Sequence, residues 1–199
     1  MVVQQRAEET HARILDAAFE AFARFGYDAT SVSEICRRAG VTKGGFYHHF
    51  PSKQAVFLEL LEHWLKGVDS GLEQLRSGAA TIPEEFLRMT AMVQQIFQEA
   101  GGKLPIFLEF LTKAGQSPVV WQATVAPFRR YESFFAGMIQ EGIDEGSLRE
   151  VDPELATHVL LCFAVGLLAL GFLDPHGADW GGVAQDGMQV LLKGLERNN

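Results

Sequence analysis

Between Gly26 and Lys53 the sequence leaves room for two short helices and little else. Gly26 ends a first amphipathic stretch and supplies a residue suited to a helix C-terminal cap. Ser31 followed by Glu34 spells a capping box, which starts a helix at Val32. Gly40 closes that helix, Val41 is a buried anchor, and Thr42 caps a further helix that runs to Phe50. Pro51 and Ser52 then interrupt the chain before a longer helix begins at Lys53. Two short helices joined through one glycine form a helix-turn-helix.

The rest of the chain is also helical in period, with few β-branched runs, so the fold class is all-α. A first helix is expected from Ala7 to Phe25, with Ile14, Leu15, Ala18, Phe19, Phe22 and Phe25 on one stripe. The helix from Lys53 is expected to reach Arg76. Further helices are expected near residues 83–99, 103–114, 118–145, 153–173 and 183–197. Pro105 and Pro127 fall inside apolar patterns and are expected to bend or break their helices. Residues 155–173 are nearly long and apolar enough for a membrane span. Thr157, His158 and the small residues within that run, and the absence of a flanking Lys/Arg cluster, favour a helix covered by protein, with a span as the alternative.

Charge is unevenly spread. The whole chain carries a net -8, but residues 1–53 hold seven Lys/Arg against six Asp/Glu, and residues 54–199 hold ten against nineteen. Only the N-terminal quarter is therefore not repelled by a polyanion, although an acidic protein with a neutral end has the same numbers. Cys36 and Cys162 lack metal-type spacing and read as reduced thiols of a cytosolic protein. The first residues show no signal-peptide pattern.

The helix from Lys43 carries side chains suited to a duplex. The N-terminus of such a helix has free amides and a dipole that attract phosphate. Lys43 sits there, able to reach a guanine edge or a phosphate. Gly44 and Gly45 each cost roughly 1 kcal/mol against Ala in a helix interior. Either they let the backbone approach a groove floor, or they mark a frayed helix start. Phe46 and Phe50 face the core. The Tyr47 hydroxyl is placed to donate to phosphate, or else the ring is half-buried core. His48 and His49 point about 100° apart, which disfavours a shared metal ion. No metal or cofactor is expected.

Five motifs make this specific: I-L-D-A-A at residues 14–18, F-x-x-F-G-Y at 22–27, T-S-V-S-E-I-C at 30–36, A-G-V at 39–41 and K-G-G-F-Y-H-H-F-P-S-K at 43–53. Over these forty residues the chain resembles the DNA-binding domain of the TetR family of transcriptional regulators. The resemblance implies that Thr30, Ser31, Thr42, Tyr47, His49 and Lys53 contact phosphates. It implies that Lys43, Gly44, Gly45 and His48 face bases. It also implies a division into a helix-turn-helix domain, residues 1–52, and a helical ligand-binding and dimerisation domain, residues 53–199.

The second domain resembles the family only in outline. The resemblance implies a homodimer paired through the last two long helices. One apolar face holds Val159, Phe163, Gly166, Leu167 and Leu170, and another holds Met188, Leu191, Leu192 and Leu195. A partner subunit or an intramolecular core would cover them. Dense aromatics on proline-interrupted helices suggest a cavity for an apolar or amphipathic small molecule. Its candidate lining is Phe97, Phe107, Phe110, Trp121, Phe128, Tyr131, Phe135 and His158, although most such residues in any protein are core. No hydrolase, P-loop, zinc-protease or dinucleotide motif occurs in a suitable context. The expected protein is a cytoplasmic, non-enzymatic, double-stranded-DNA-binding repressor released by its effector. The alternative is a helical ligand-binding or enzymatic protein with a vestigial helix-turn-helix.

Overall fold

A computed structural model describes residues 2–76, 81–98 and 103–196; for residues 2–4, 98, 103–105 and 107 it describes backbone alone. Among the described residues there are nine helices and no strand: α1 Val2–Phe25, α2 Val32–Ala39, α3 Lys43–His49, α4 Lys53–Arg76, α5 Ile82–Gln98, α6 Lys103–Ala114, α7 Pro118–Asp144, α8 Pro153–Leu173 and α9 Trp180–Leu195. A single antiparallel bridge among them joins Leu148 to Glu196.

These residues pack into two compact units. One comprises Met1–Lys66 with Gly101–Thr124, and the other Gly67–Ala100 with Val125–Asn199. In the first unit α1 packs on α2 and α6. Its core is the α1 stripe of Ile14, Ala18 and Phe22 with Ile35, Phe46, Phe50, Phe57 and Phe110. Each fully buried Phe contributes about 1.5–3 kcal/mol relative to leaving it exposed. In the second unit α5 packs on α8 and α9, around Phe86, Met138, Ile139, Leu148, Leu160 and Leu192.

Local chemistry sets the boundaries around α2 and α3. Ser31 caps α2 by accepting from the Glu34 amide at 3.1 Å. The expected reciprocal half of the box does not form. Both Glu34 carboxylate oxygens instead accept from arginine, one from Arg38 Nε and Arg37, the other from Arg37 Nε. These charge-assisted bonds hold the Glu34 carboxyl at about 2. Gly40 closes α2 at φ +64°, a left-handed conformation that a side chain disfavours. Thr42 caps α3 by accepting from the Gly45 amide at 3.0 Å.

Neither proline breaks its helix. Pro105 falls in the first turn of α6, and Pro127 lies inside α7, which continues through it to Asp144. In a first turn the missing N–H is one that no helix carbonyl would have received. Pro127 removes one interior bond, a cost of about 3 kcal/mol that packing on both sides offsets. The buried Val120 and the buried Met138 and Ile139 anchor α7 before and after it. α8 is long and apolar enough to cross a membrane by length and composition alone. Its apolar residues do not form one covered face. Leu160, Leu167 and Leu168 are buried, while Leu155, Val159, Leu170 and Leu173 are exposed.

Candidate nucleic-acid interface

α3 rests on the first unit through Phe46 and Phe50, which are 0% and 2% exposed. Their burial fixes the opposite side of the helix outward. Lys43, Gly44, Tyr47 and His48 are all exposed, and Tyr47 reaches 54%. The Tyr47 ring leans edge-on against Phe46 with centroids 5.3 Å apart, so the phenol is held and not buried. Ser31 and Thr42 are exposed at the starts of α2 and α3. Each hydroxyl accepts from its own helix and keeps a proton to donate.

Nothing inside the fold requires the two glycines. An added Cβ at Gly44 would meet only Thr42 Oγ1, at 3.8 Å, and one at Gly45 would meet Thr42 Oγ1 at 3.4 Å. Neither glycine has positive φ. Their helix-propensity cost is thus not explained by packing or by backbone geometry within the protein.

Two of the expected phosphate contacts are turned inward. Thr30 is 2% exposed, and its hydroxyl lies 2.8 Å from the Gly26 carbonyl and 3.2 Å from that of Ala21. That group closes the turn after α1, so phosphate contact through it is not what the geometry offers. Lys53 donates to the Tyr27 carbonyl at 2.6 Å and the Thr30 carbonyl at 2.8 Å. Its ammonium lies 4.1 Å from the Tyr27 ring centroid. Burial lowers the Lys53 pKa, with Asp28 acting in the other direction and Lys113 in the same one. Lys53 is therefore a strut for the turn between α1 and α2 before it is a phosphate ligand.

Sequence reasoning missed other members of this region. Glu109 of α6 accepts from the Tyr27 amide at 3.2 Å, and Lys113 binds Asp28 at 2.6 Å. His49 is half-buried against His11 of α1, with ring centroids 6.0 Å apart. His11 itself stacks on Phe50 at 4.6 Å and contacts Glu59 of α4 at 3.2 Å. Its one sequence signal was register: His11 lies three residues before Ile14 on the apolar stripe of α1.

The aromatic candidates for a small-molecule site scatter. Phe110 is core of the first unit, against Phe57 at 4.6 Å, and Trp121 belongs to the same unit. The Phe107 side chain lies outside the described residues. In the second unit, Phe135 stacks near Phe86, and Phe97 occupies the space that a side chain at Gly171 would fill. Tyr131 donates to Asp69 at 2.8 Å, and Arg130 binds the same carboxylate. Burial, then the bond to Asp69, pushes the Tyr131 phenol up to about 12. Phe128 is exposed, and His158 is exposed and contacts Glu132 at 3.1 Å.

Residues 14–60 match the family model of bacterial regulatory proteins of the tetR family. Over 98% of its length the chain is 30% identical to the A-factor receptor protein of Streptomyces griseus, covering 67% of that protein. It is 26% identical to the uncharacterised HTH-type transcriptional regulator YfiR of Bacillus subtilis, over 98% of this chain and 96% of that one. The crystal structure of the TetR family transcriptional regulator PfmR from Thermus thermophilus superposes with a TM-score of 0.76 at 30% identity, covering 93% of this chain and 100% of that one. An outward-facing α3 on a helix-turn-helix frame, matched over nearly the whole chain, places this protein in the TetR family of DNA-binding transcriptional regulators.

Proposed function

We propose that this regulator is a cytoplasmic homodimeric repressor that inserts α3 of each subunit into the major groove of a palindromic operator. The observation that carries the reading is the exposed face of α3, with Phe46 and Phe50 buried beneath it. Lys43 and His48 would read base edges, with Gly44 and Gly45 allowing close approach. Ser31, Thr42, Tyr47 and His49 would grip phosphates. With two glycines in the reading face, part of the specificity would fall on DNA shape.

In this reading residues 1–52 bind DNA and residues 53–199 bind effector and partner. The exposed residues of α8 and α9 support a partner: Leu173 is 78% exposed and Val190 70%. A Cβ added at Gly166 would meet nothing, which leaves room for a neighbouring helix. Covering this face by a second subunit also accounts for the apolar length of α8 without a membrane. The effector would be an apolar or amphipathic small molecule held in the second unit. Phe97, Phe135, Tyr131 and His158 are candidate contacts, with Asp69 and Arg130 as polar anchors. That the Streptomyces relative is named a receptor supports ligand response. Effector would lower operator affinity only as far as it prefers the conformer that does not fit DNA.

A salt titration of duplex binding tests the reading. The log–log slope of affinity against salt is expected to be about -0.9 per phosphate contacted. Tyr47→Phe should weaken all duplexes alike, whereas Lys43→Ala should also flatten discrimination between sequences. Affinity insensitive to salt, or equal losses at every sequence for both variants, would contradict it.

A further inference from the structure

Four of the six histidines of this chain gather at one end of the first unit. His48 and His49 come from α3, His11 from α1 and His63 from α4. Ring centroids lie 5.2 Å apart for His48 and His49, and 6.0 Å for His49 and His11. Glu59 of α4 contacts His11 at 3.2 Å and His63 at 4.0 Å. This carboxylate thus serves the α1 and α4 rings. The charges felt at His49 are those of His48 and His11, both like in sign when protonated.

The His49 ring resists charging in the free protein. Burial holds the His49 pKa below its ordinary value, and His48 and His11 push it the same way. A phosphate backbone laid against α3 reverses the balance, because it supplies several negative charges beside His49, whose ring lies within about 6 Å of both His48 and His11. We propose that duplex binding by this regulator is coupled to proton uptake at the His11–His48–His49 cluster, so that acidification tightens the complex. The inference rests on the reading of α3 as the DNA-contacting helix. His11 acts in it as a positioning residue: stacked on Phe50 and tied to Glu59, it fixes the field in which His49 titrates.

The sign follows from linkage. Binding raises the imidazole pKa, so the complex holds more protons than the free protein between the free and bound values. Affinity rises as pH falls through the bound value and levels off below the free one, which for His49 lies under 6.5. Each proton fully taken up makes Kd fall about tenfold per pH unit within that window.

Calorimetry of the full-length protein binding a mixed-sequence duplex at low salt, near neutral pH, in two buffers of different ionisation enthalpy counts these protons directly. The expected result is an uptake of about one proton per subunit, and a tightening of roughly three- to tenfold per unit of acidification. His49→Gln should remove most of the uptake, and His11→Gln should reduce it. The exposed His48→Gln gives the same test without disturbing the core, and His176→Gln, far from α3 in sequence, should change nothing. Duplex binding with heat independent of buffer, or uptake that survives all three cluster variants, would overturn the proposal. Absence of any duplex binding would instead overturn the reading on which it rests, and the proposal with it.

Discussion

Replacing Gly44 by Ala should make the protein more stable and a poorer DNA binder. An added Cβ there meets only Thr42 Oγ1, at ordinary contact distance of 3.8 Å, and the backbone has negative φ. The substitution therefore gains helix propensity without strain. The full interior gain is about 1 kcal/mol, and a first-turn position should realise roughly half of it or more. For a chain of this size that corresponds to about 1–4 °C in Tm. Against DNA the same methyl group occupies the space through which the backbone would approach the groove. Overpacking a tight contact costs about 1–3 kcal/mol, or roughly five- to 150-fold in Kd. Thermal unfolding and fluorescence anisotropy on one preparation give both numbers. A variant that binds duplex as well as the parent would refute close approach and leave only a frayed helix start. A variant that is less stable would refute the claim that nothing inside the fold needs the glycine.

Thr30→Val should destabilise the first unit by about 1–3 kcal/mol, because the one hydroxyl proton shared between the Gly26 and Ala21 carbonyls is lost; chemical denaturation measures it. Its DNA affinity, corrected for unfolded protein, should stay close to that of the parent, which separates a turn-closing hydroxyl from a phosphate ligand. Glu34 titrates at about 2 in the folded chain against an ordinary 4.5, so its stabilising contribution is full above 4.5 and is lost as pH falls towards 2. Glu34→Gln should flatten that part of an acid-unfolding curve followed by circular dichroism.

Where the sequence spoke clearly, it did so through local chemistry. Ser31, Gly40 and Thr42 act on the residues beside them, so the limits of α2 and α3 were legible before any packing was known. The inward side of α3 was legible too, because Phe46 and Phe50 are four residues apart. The structure departs from the sequence reading where a side chain has a partner that spacing alone does not reveal. Lys53 and Thr30 look like surface polar residues until the turn at 26–30 folds beneath them. The Glu34 carboxylate had two candidate donors, its own helix N-terminus and the arginines one turn on, and charge favoured the arginines. Phe110 matched its aromatic neighbours in composition, but α6 carries it into the core around Phe57. Apolar period alone does not say which of two cores a helix joins, and the split burial of α8 shows the same limit.

Selection of bound duplexes from a random pool, run in parallel with the parent and Lys43→Ala, tests the central claim most directly. The parent should enrich a palindrome whose half-sites lie one or more helical turns of DNA apart, about 10 base pairs per turn. Lys43→Ala should keep the palindrome and its spacing while losing preference at one symmetric pair of positions. A pool that shows no enrichment with the parent, or a consensus untouched by changes on the exposed face of α3, would contradict the account.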